Sequence, residues 1–218
     1  MAIEADNMVV WPAPFLYWTE VEGHQELKDK ILPKIKEESL KEKYHTVPGK
    51  VHRRLNLAPQ VWDCEVITNY FDPYDYKEFL LENLTSTIVE NVLKKFYNDP
   101  NCPVPIKPKK HILKDIWFNF YQPGYWQEAH THDGSVYSGI YILELNEENT
   151  TKFFNYGATT YSYARSAKTK FGSFANVNYD TKHIKEGNVL LFPSELVHAV
   201  EAATQERATI SFNIKCEW

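Results

Sequence analysis

What the chain lacks narrows its class. No stretch approaches the roughly 20 consecutive apolar residues that a bilayer-spanning helix needs, and the start, with Glu4, Asp6 and no basic residue, does not resemble a signal peptide. A basic excess is missing as well. The 24 Lys and Arg stand against 29 Asp and Glu, giving a formal charge of −5 and a pI near 5.9, where a general nucleic-acid binder would show a basic stripe. Cysteine is scarce: Cys64, Cys102 and Cys216 are odd in number, far apart and form no CxxC pair. That usage predicts ordinary thiols in a reducing cytoplasm and excludes a zinc ribbon or a dithiol redox centre. No internal repeat or low-complexity tract interrupts the sequence.

What is present fits an enzyme-sized unit. The 218 residues suffice for one domain with a large core, or at most two small ones. Aromatic content of 15%, with six Trp and fourteen Tyr, suits a β-rich interior. The chain changes character near residue 110. Before it lie a short apolar start (Val9 to Tyr17), an amphipathic helix over Glu26–Lys43 disturbed at Pro33, and a clearer helix over Tyr76–Phe96. In the latter, Phe79, Leu80, Leu84, Ile88, Val89, Val92, Leu93 and Phe96 recur at three- and four-residue steps, with Asp72 and Asp75 near its start. A proline-rich connector runs to Pro108, and Lys107–Lys110 reads as solvated linker. After His111 the spacing predicts strands over Ile112–Tyr121, Val136–Leu145, Val189–Phe192 and Ala208–Ile214. The polar stretch Asn146–Lys185 is expected to form edge strands, loops and a mobile cover over a site.

The chemistry concentrates in His130-Thr131-His132-Asp133, His198 and, nine residues later, Arg207. On an extended chain His130 and His132 point to one face, and a third imidazole brought in by the fold would complete a seat for a divalent metal. Imidazole alone leaves the metal open among Fe, Zn, Cu and Ni. A fixed guanidinium behind such a site is a receptor for the far carboxylate of a dicarboxylic acid. Each residue has a plainer reading: a hydrogen-bonded core histidine, or an arginine in a surface ion pair.

Three blocks carry a resemblance. Asn119-Phe120-Tyr121-Gln122-Pro123-Gly124, His130–Ser135 and Ser138-Gly139-Ile140-Tyr141-Ile142-Leu143 resemble the central block of the Fe(II)- and 2-oxoglutarate-dependent dioxygenases, closest to a subgroup common in marine bacteria and their phages. Gly187–Ser194, His198 and Arg207–Asn213 are similar to that family's closing strands. Together they span residues 111 to 218. The resemblance implies a mainly β fold, a double-stranded β-helix of jelly-roll or cupin type, with flanking N-terminal helices. Residues 1–110 would form a helical support region and 111–218 the β-helix core with the metal site, all within one domain, 1–218.

The resemblance also implies Fe(II), with His130 as first ligand and His198 as distal ligand. Position 132 departs from the family pattern, because His stands where a carboxylate is expected and Asp133 sits one residue late. Three arrangements stay open: a three-His site of His130, His132 and His198, which strand geometry favours; a two-His site with His132 serving substrate; or a bulge that turns Asp133 inward in place of His132. Arg207 would clamp the C5 carboxylate of 2-oxoglutarate, with Thr209 on the same face, and Asn119, Tyr121 and Tyr141 within reach. The implied reaction couples oxidative decarboxylation of 2-oxoglutarate by O2 to hydroxylation of an unidentified peptide or small-molecule substrate, prolyl or other peptidyl residues foremost. Tyr125, Trp126, Tyr161 and Tyr163 would line its groove. No membrane partner is expected; the aromatic start is open to homodimer packing, and the location is the cytoplasm, that of a host if phage-encoded. Two other readings remain: a cupin-type metalloenzyme in which Arg207 binds the substrate itself, and a non-catalytic jelly-roll binding module.

Overall fold

Alternation along the last strand organises the molecule. The computed structural model describes residues 15–52, 60–104, 106–132, 134–154 and 178–218. In β12 (Arg207–Glu217), Ala208, Ile210, Phe212 and Ile214 enter the main apolar cluster, while Arg207, Thr209 and Ser211 line an interior pocket. The long strand β5 (Lys110–Tyr121) pairs with β12 and repeats the pattern: Ile116, Phe118 and Phe120 outward, Trp117, Asn119 and Tyr121 inward. Period two therefore gives one sheet two different faces, an apolar one for helices and a largely polar one for a site.

That sheet has six antiparallel strands in the order β1-β10-β7-β12-β5-β4, where β1 is Tyr17–Glu20, β4 Ile67–Thr68, β7 Tyr137–Leu145 and β10 Asn188–Pro193. The opposing sheet has the order β6-β11-β8-β9, from β6 (Gln127–His130), β8 (Thr151–Phe154), β9 (Asn178–Asp180) and β11 (Val197–Val200). Ile140, Ile142, Leu190 and Phe192 of the first sheet meet Phe153 of the second in a small cluster that closes one end of the interior. The fold is mainly β, a double-stranded β-helix. A separate hairpin joins β2 (Lys50–His52) and β3 (Gln60–Trp62).

The helices cover the outer face of the larger sheet. Helix α1 (His24–Glu38) runs through Pro33 and buries Ile31, Leu32 and Ile35; a 3-10 turn, Glu42–Tyr44, takes the place of the rest of the expected Glu26–Lys43 helix. The second helical stretch is α2 (Tyr74–Thr85), a π segment (Ser86–Val92) and α3 (Leu93–Asn98). Its buried residues Leu80, Leu84, Ile88, Val92 and Phe96 recur every four residues. In an α-helix each such step drifts about 40° around the axis. The wider π turn reverses that drift and keeps the stripe on the sheet. The first 110 residues supply more than helical support, because β1 and β4 are edge strands of the larger sheet. Strands β1–β4, β6, β8, β9 and β11 are short and had no individual sequence assignment. Among the described residues no helix is long and apolar enough to cross a membrane.

Two close contacts tie these elements together. Gly139 on β7 lies against Phe212, where an added Cβ would stand 2.2 Å from the ring and 2.8 Å from the Leu190 carbonyl oxygen. Glu186 fastens α1 to the sheet: it accepts from Lys28 Nζ at 2.6 Å, from the Leu145 amide at 2.8 Å and from His24 Nε2 at 3.3 Å. Burial alone would raise the Glu186 carboxyl pKa, but these three donors outweigh it and hold the group below its ordinary 4.5.

Two outcomes follow for stability. Gly139→Ala is expected to destabilise the protein by about 1–3 kcal/mol in urea unfolding, because neither the ring nor the carbonyl can retreat within a packed core. Glu186 has a depressed folded pKa, so its contribution is present above pH 4.5 and is lost as pH falls through the folded value. Glu186→Gln is thus expected to cost about 1 kcal/mol at neutral pH, and equilibrium unfolding at successively lower pH should show that difference shrinking below pH 4.5.

Candidate active site

The interior pocket is lined by both sheets. Trp117, Asn119 and Tyr121 of β5, Ile140 of β7 and Arg207, Thr209 and Ser211 of β12 face Gln127 and His130 of β6, His198 and Val200 of β11, and His132. His130 and His198 are register partners on the antiparallel pair β6–β11. His132 lies two residues past the end of β6 and is fixed by its amide bond to the Ser194 carbonyl at 2.9 Å. A bulge sits in the same pair, since two steps along β11 (His198 to Val200) are matched by three along β6 (His130 to Gln127). It breaks the period of two, so that Gln127 and His130 both face inward.

One ligand atom from each of His130, His132 and His198 lies within 4.8 Å of the other two. The Nε2 atoms of His132 and His198 are 3.2 Å apart, close to the roughly 3 Å expected when two imidazoles about 2.1 Å from one ion meet near a right angle. Two of the rings are oriented from behind: Nδ1–H of His130 donates to the Glu128 carbonyl at 2.7 Å, and Nδ1–H of His198 to the Leu196 carbonyl at 3.0 Å. Those bonds leave the Nε2 lone pairs turned inward. Trp117 packs on His132, and Phe153 and Phe192 on His198, with ring centroids at 5.5, 5.7 and 4.8 Å.

Burial keeps all three rings neutral. His130 is lowered by desolvation, partly opposed by its bond to the Glu128 carbonyl. His132 is pushed down to about 3, first by burial and then by His130, with Asp115 opposing and Lys114 adding. His198 falls well below its ordinary value through burial and the two neighbouring imidazoles. Three neutral imidazoles converging on one point are a metal donor set.

Across the pocket stands a buried cation. Arg207 is 1% exposed; NH1 donates to Thr150 Oγ1 at 3.0 Å and NH2 to Thr151 Oγ1 at 2.8 Å. The guanidinium carbon lies 5.3 Å from the Tyr121 ring centroid. Among the described residues no carboxylate is within ion-pair distance of it, and Nε has no partner. Nearby, Asn119 donates to Ser211 Oγ at 2.9 Å while its Oδ1 is unsatisfied, and Tyr121 donates to Gln127 Oε1 at 3.0 Å. Burying an unpaired charge costs several kcal/mol; the field of Glu147 offsets part of that cost, and an anion entering the pocket would offset more. The residues therefore fit both a metal ion and a carboxylate-bearing cosubstrate.

The structure brings together His130, His132, His198, Arg207, Thr209, Asn119 and Tyr121. Tyr141 is corrected. It points to the opposite face of β7, where its hydroxyl meets His24 Nδ1 at 2.7 Å and its ring joins the helix-covered core; Ile140, one residue earlier, takes the inward position. Tyr125 and Trp126 do not line the pocket either, since Tyr125 packs against core clusters and Trp126 pairs with Glu65 by backbone bonds. Asp133, Tyr161 and Tyr163, with most of the expected cover and the aromatic start, lie outside the described residues. Reading the strand parity two residues further would have found Trp117 and Ser211. No local signal marked Gln127, Thr150, Thr151 or Phe153.

A double-stranded β-helix with three converging imidazoles facing a buried arginine has the make-up of a metalloenzyme site. Residues 115–213, which hold every residue lining the pocket, match the family described as "Putative 2OG-Fe(II) oxygenase". The match covers a little under half of the chain, and an oxygenase using Fe(II) and 2-oxoglutarate is what that family's description names. No curated protein sequence matches the chain. Solved structures share its fold at low identity. A Trichoplax adhaerens prolyl hydroxylase, in complex with a hypoxia inducible factor oxygen degradation domain peptide, is 10% identical at a TM-score of 0.53, covering 92% of this chain and 83% of its own. AviO1 from Streptomyces viridochromogenes Tue57 is 9% identical at 0.51, covering 94% and 90%. The α-ketoglutarate-dependent epimerase SnoN from nogalamycin biosynthesis is 11% identical at 0.51, covering 91% and 76%.

The uncompensated cation makes a testable statement about stability. Arg207→Met, which removes a buried charge with little change of volume, is expected to leave metal-free protein as stable as before or more stable by about 1–2 kcal/mol. Urea unfolding of the metal-free variant beside the unsubstituted protein measures it; a loss of several kcal/mol would show that the arginine is already fully compensated.

Proposed function

We propose that His130, His132 and His198 hold Fe(II) as a three-histidine set, that Arg207 receives the far carboxylate of 2-oxoglutarate with Thr209, Asn119 and Tyr121 around it, and that the enzyme hydroxylates a peptidyl residue, prolyl foremost. One observation carries the reading: three neutral imidazoles converge within 4.8 Å on the wall opposite a buried guanidinium that has no carboxylate at ion-pair distance among the described residues. Fe(II) and 2-oxoglutarate, when bound, supply oxidative decarboxylation coupled to oxygen insertion. The chain supplies placement. The Glu128 and Leu196 carbonyls hold two ligand tautomers, Arg207 orients the diacid, and Trp117, Phe153 and Phe192 exclude water around the rings.

The peptide reading rests on fold analogy and on the surface beside the histidines. Trp62, Tyr70 and Phe71 form a half-buried aromatic group, with Trp62 6.3 Å from His130 and Tyr70 5.0 Å from Trp117 between ring centroids. Aromatic-lined walls of this kind suit extended, proline-containing segments. The same sheet runs from β1 and β4 to β12, which supports treating residues 1–218 as one catalytic unit. A cytoplasmic location accords with three free thiols. The three-His donor set also suits a cupin-type metalloenzyme in which Arg207 binds the substrate directly.

Anaerobic titration separates these readings. Fe(II)-loaded protein should develop a visible charge-transfer band with 2-oxoglutarate, since only chelation by the oxo acid produces it; a spectrum that never changes would sink the cosubstrate role. His198→Ala is expected to weaken metal binding by more than about 100-fold, measured by Co(II) titration, and His132→Ala to do so only if position 132 is a ligand. Succinate release driven by proline-containing peptides, against nucleotides and small metabolites as controls, tests the substrate class.

A further inference from the structure

Strand β8 reaches both halves of the site. Its buried residues alternate: Thr151 and Phe153 are buried on one side of the strand, and Lys152 and Phe154 are only partly covered. Thr151 stands opposite Val200, and Phe153 opposite His198, in the pairing with β11. Phe153 stacks on the His198 ring at 5.7 Å between centroids. Thr151 and its neighbour Thr150 accept the two Arg207 bonds. Two residues of a strand advance about 6.7 Å, the scale of a short diacid. One rigid segment thus sets the spacing between a metal-facing imidazole and the guanidinium.

The threonines are themselves held. The Thr151 carbonyl accepts from Thr181 Oγ1 at 2.5 Å, its amide donates to Asn149 Oδ1 at 3.1 Å, and Thr150 Oγ1 donates to the Glu201 carbonyl at 3.4 Å. These contacts leave the Thr150 and Thr151 hydroxyl oxygens facing the guanidinium. Arginine carries five N–H donors, of which the two threonines use two, so the remainder stay available on a plane whose tilt the threonines fix. A guanidinium free to rotate would meet carboxylates at several distances; one pinned at both terminal nitrogens meets them at one.

We propose that Thr150 and Thr151 are positioning residues that lock Arg207 against β8 and thereby set the chain length of the 2-oxo diacid the site accepts. This inference rests on the cosubstrate reading above and goes beyond it by assigning length selectivity to two residues outside the pocket lining. They touch neither metal nor diacid and act through Arg207. The arginine supplies the charge; the threonines supply its address.

Binding of oxo acids to Fe(II)-loaded protein, followed anaerobically through the charge-transfer band, tests it with 2-oxoglutarate, oxaloacetate, 2-oxoadipate and pyruvate. Thr151→Val is expected to weaken 2-oxoglutarate about tenfold and to narrow its preference over oxaloacetate and 2-oxoadipate. Thr151→Ser, which keeps the hydroxyl, should bind within about twofold of the unsubstituted protein. Pyruvate offers the same chelating end and no far carboxylate, so its affinity should be unchanged in every variant. Equal weakening of pyruvate and 2-oxoglutarate would overturn the proposal, as would unchanged 2-oxoglutarate binding and selectivity in Thr151→Val. If Thr151→Val fails to fold, judged by circular dichroism of metal-free protein, Thr150→Val and Thr151→Ser carry the same comparison. No band with any oxo acid in unsubstituted, iron-loaded protein would instead defeat the cosubstrate reading and this inference with it.

Discussion

A buried positive charge with no carboxylate at ion-pair distance among the described residues is the constraint on which the site depends. Arg207 rests against two threonine hydroxyls and the face of Tyr121, with the Glu147 carboxylate acting on it from beyond ion-pair distance. Hydrogen bonds to a charged group contribute about 1.5–3 kcal/mol each and a desolvated cation–π contact about 2 kcal/mol, enough to offset much of the several kcal/mol that burying such a charge costs. The balance leaves the fold intact and the cation hungry. An incoming carboxylate then meets a donor already stripped of water, in surroundings where charge attraction is much stronger than in solution.

The opposite wall obeys the inverse rule. Three imidazoles kept neutral by burial and by one another present lone pairs and no charge. A divalent ion placed there would meet no positive charge on its three donors, while the guanidinium stands across the pocket to meet the ligand's other end. A third histidine in place of a carboxylate would leave a metal held there one unit more positive than a two-His, one-carboxylate set would.

Much of this was legible because β-strand chemistry is local. All of Val136–Leu145 but its first residue fell inside the observed β7, and Ala208–Ile214 inside β12, where alternation of apolar and polar residues fixed which face each takes. The same parity that set Arg207 beside Thr209 should have placed Tyr141 opposite Ile140, on the helix side. Tyr141 was instead drawn toward the site by its neighbourhood to the metal motif in sequence, which says nothing about facing. The helix over Tyr76–Phe96 showed its apolar stripe plainly, but its strict four-residue repeat, which an α-helix cannot keep aligned, was the unread sign of the π segment.

Sequence alone determined the sheet faces, the two helical covers and the identity of the groups that bear chemistry, since each depends on residue type and a repeat of two or about four. Tertiary structure decided the rest. The bulge in β6 that turns Gln127 and His130 together, the Ser194 carbonyl that holds His132, and the two threonines of a polar stretch that hold Arg207 all join residues dozens of positions apart. Contacts of that kind arise from how strands pair and how sheets face each other, and no local pattern of side chains encodes them.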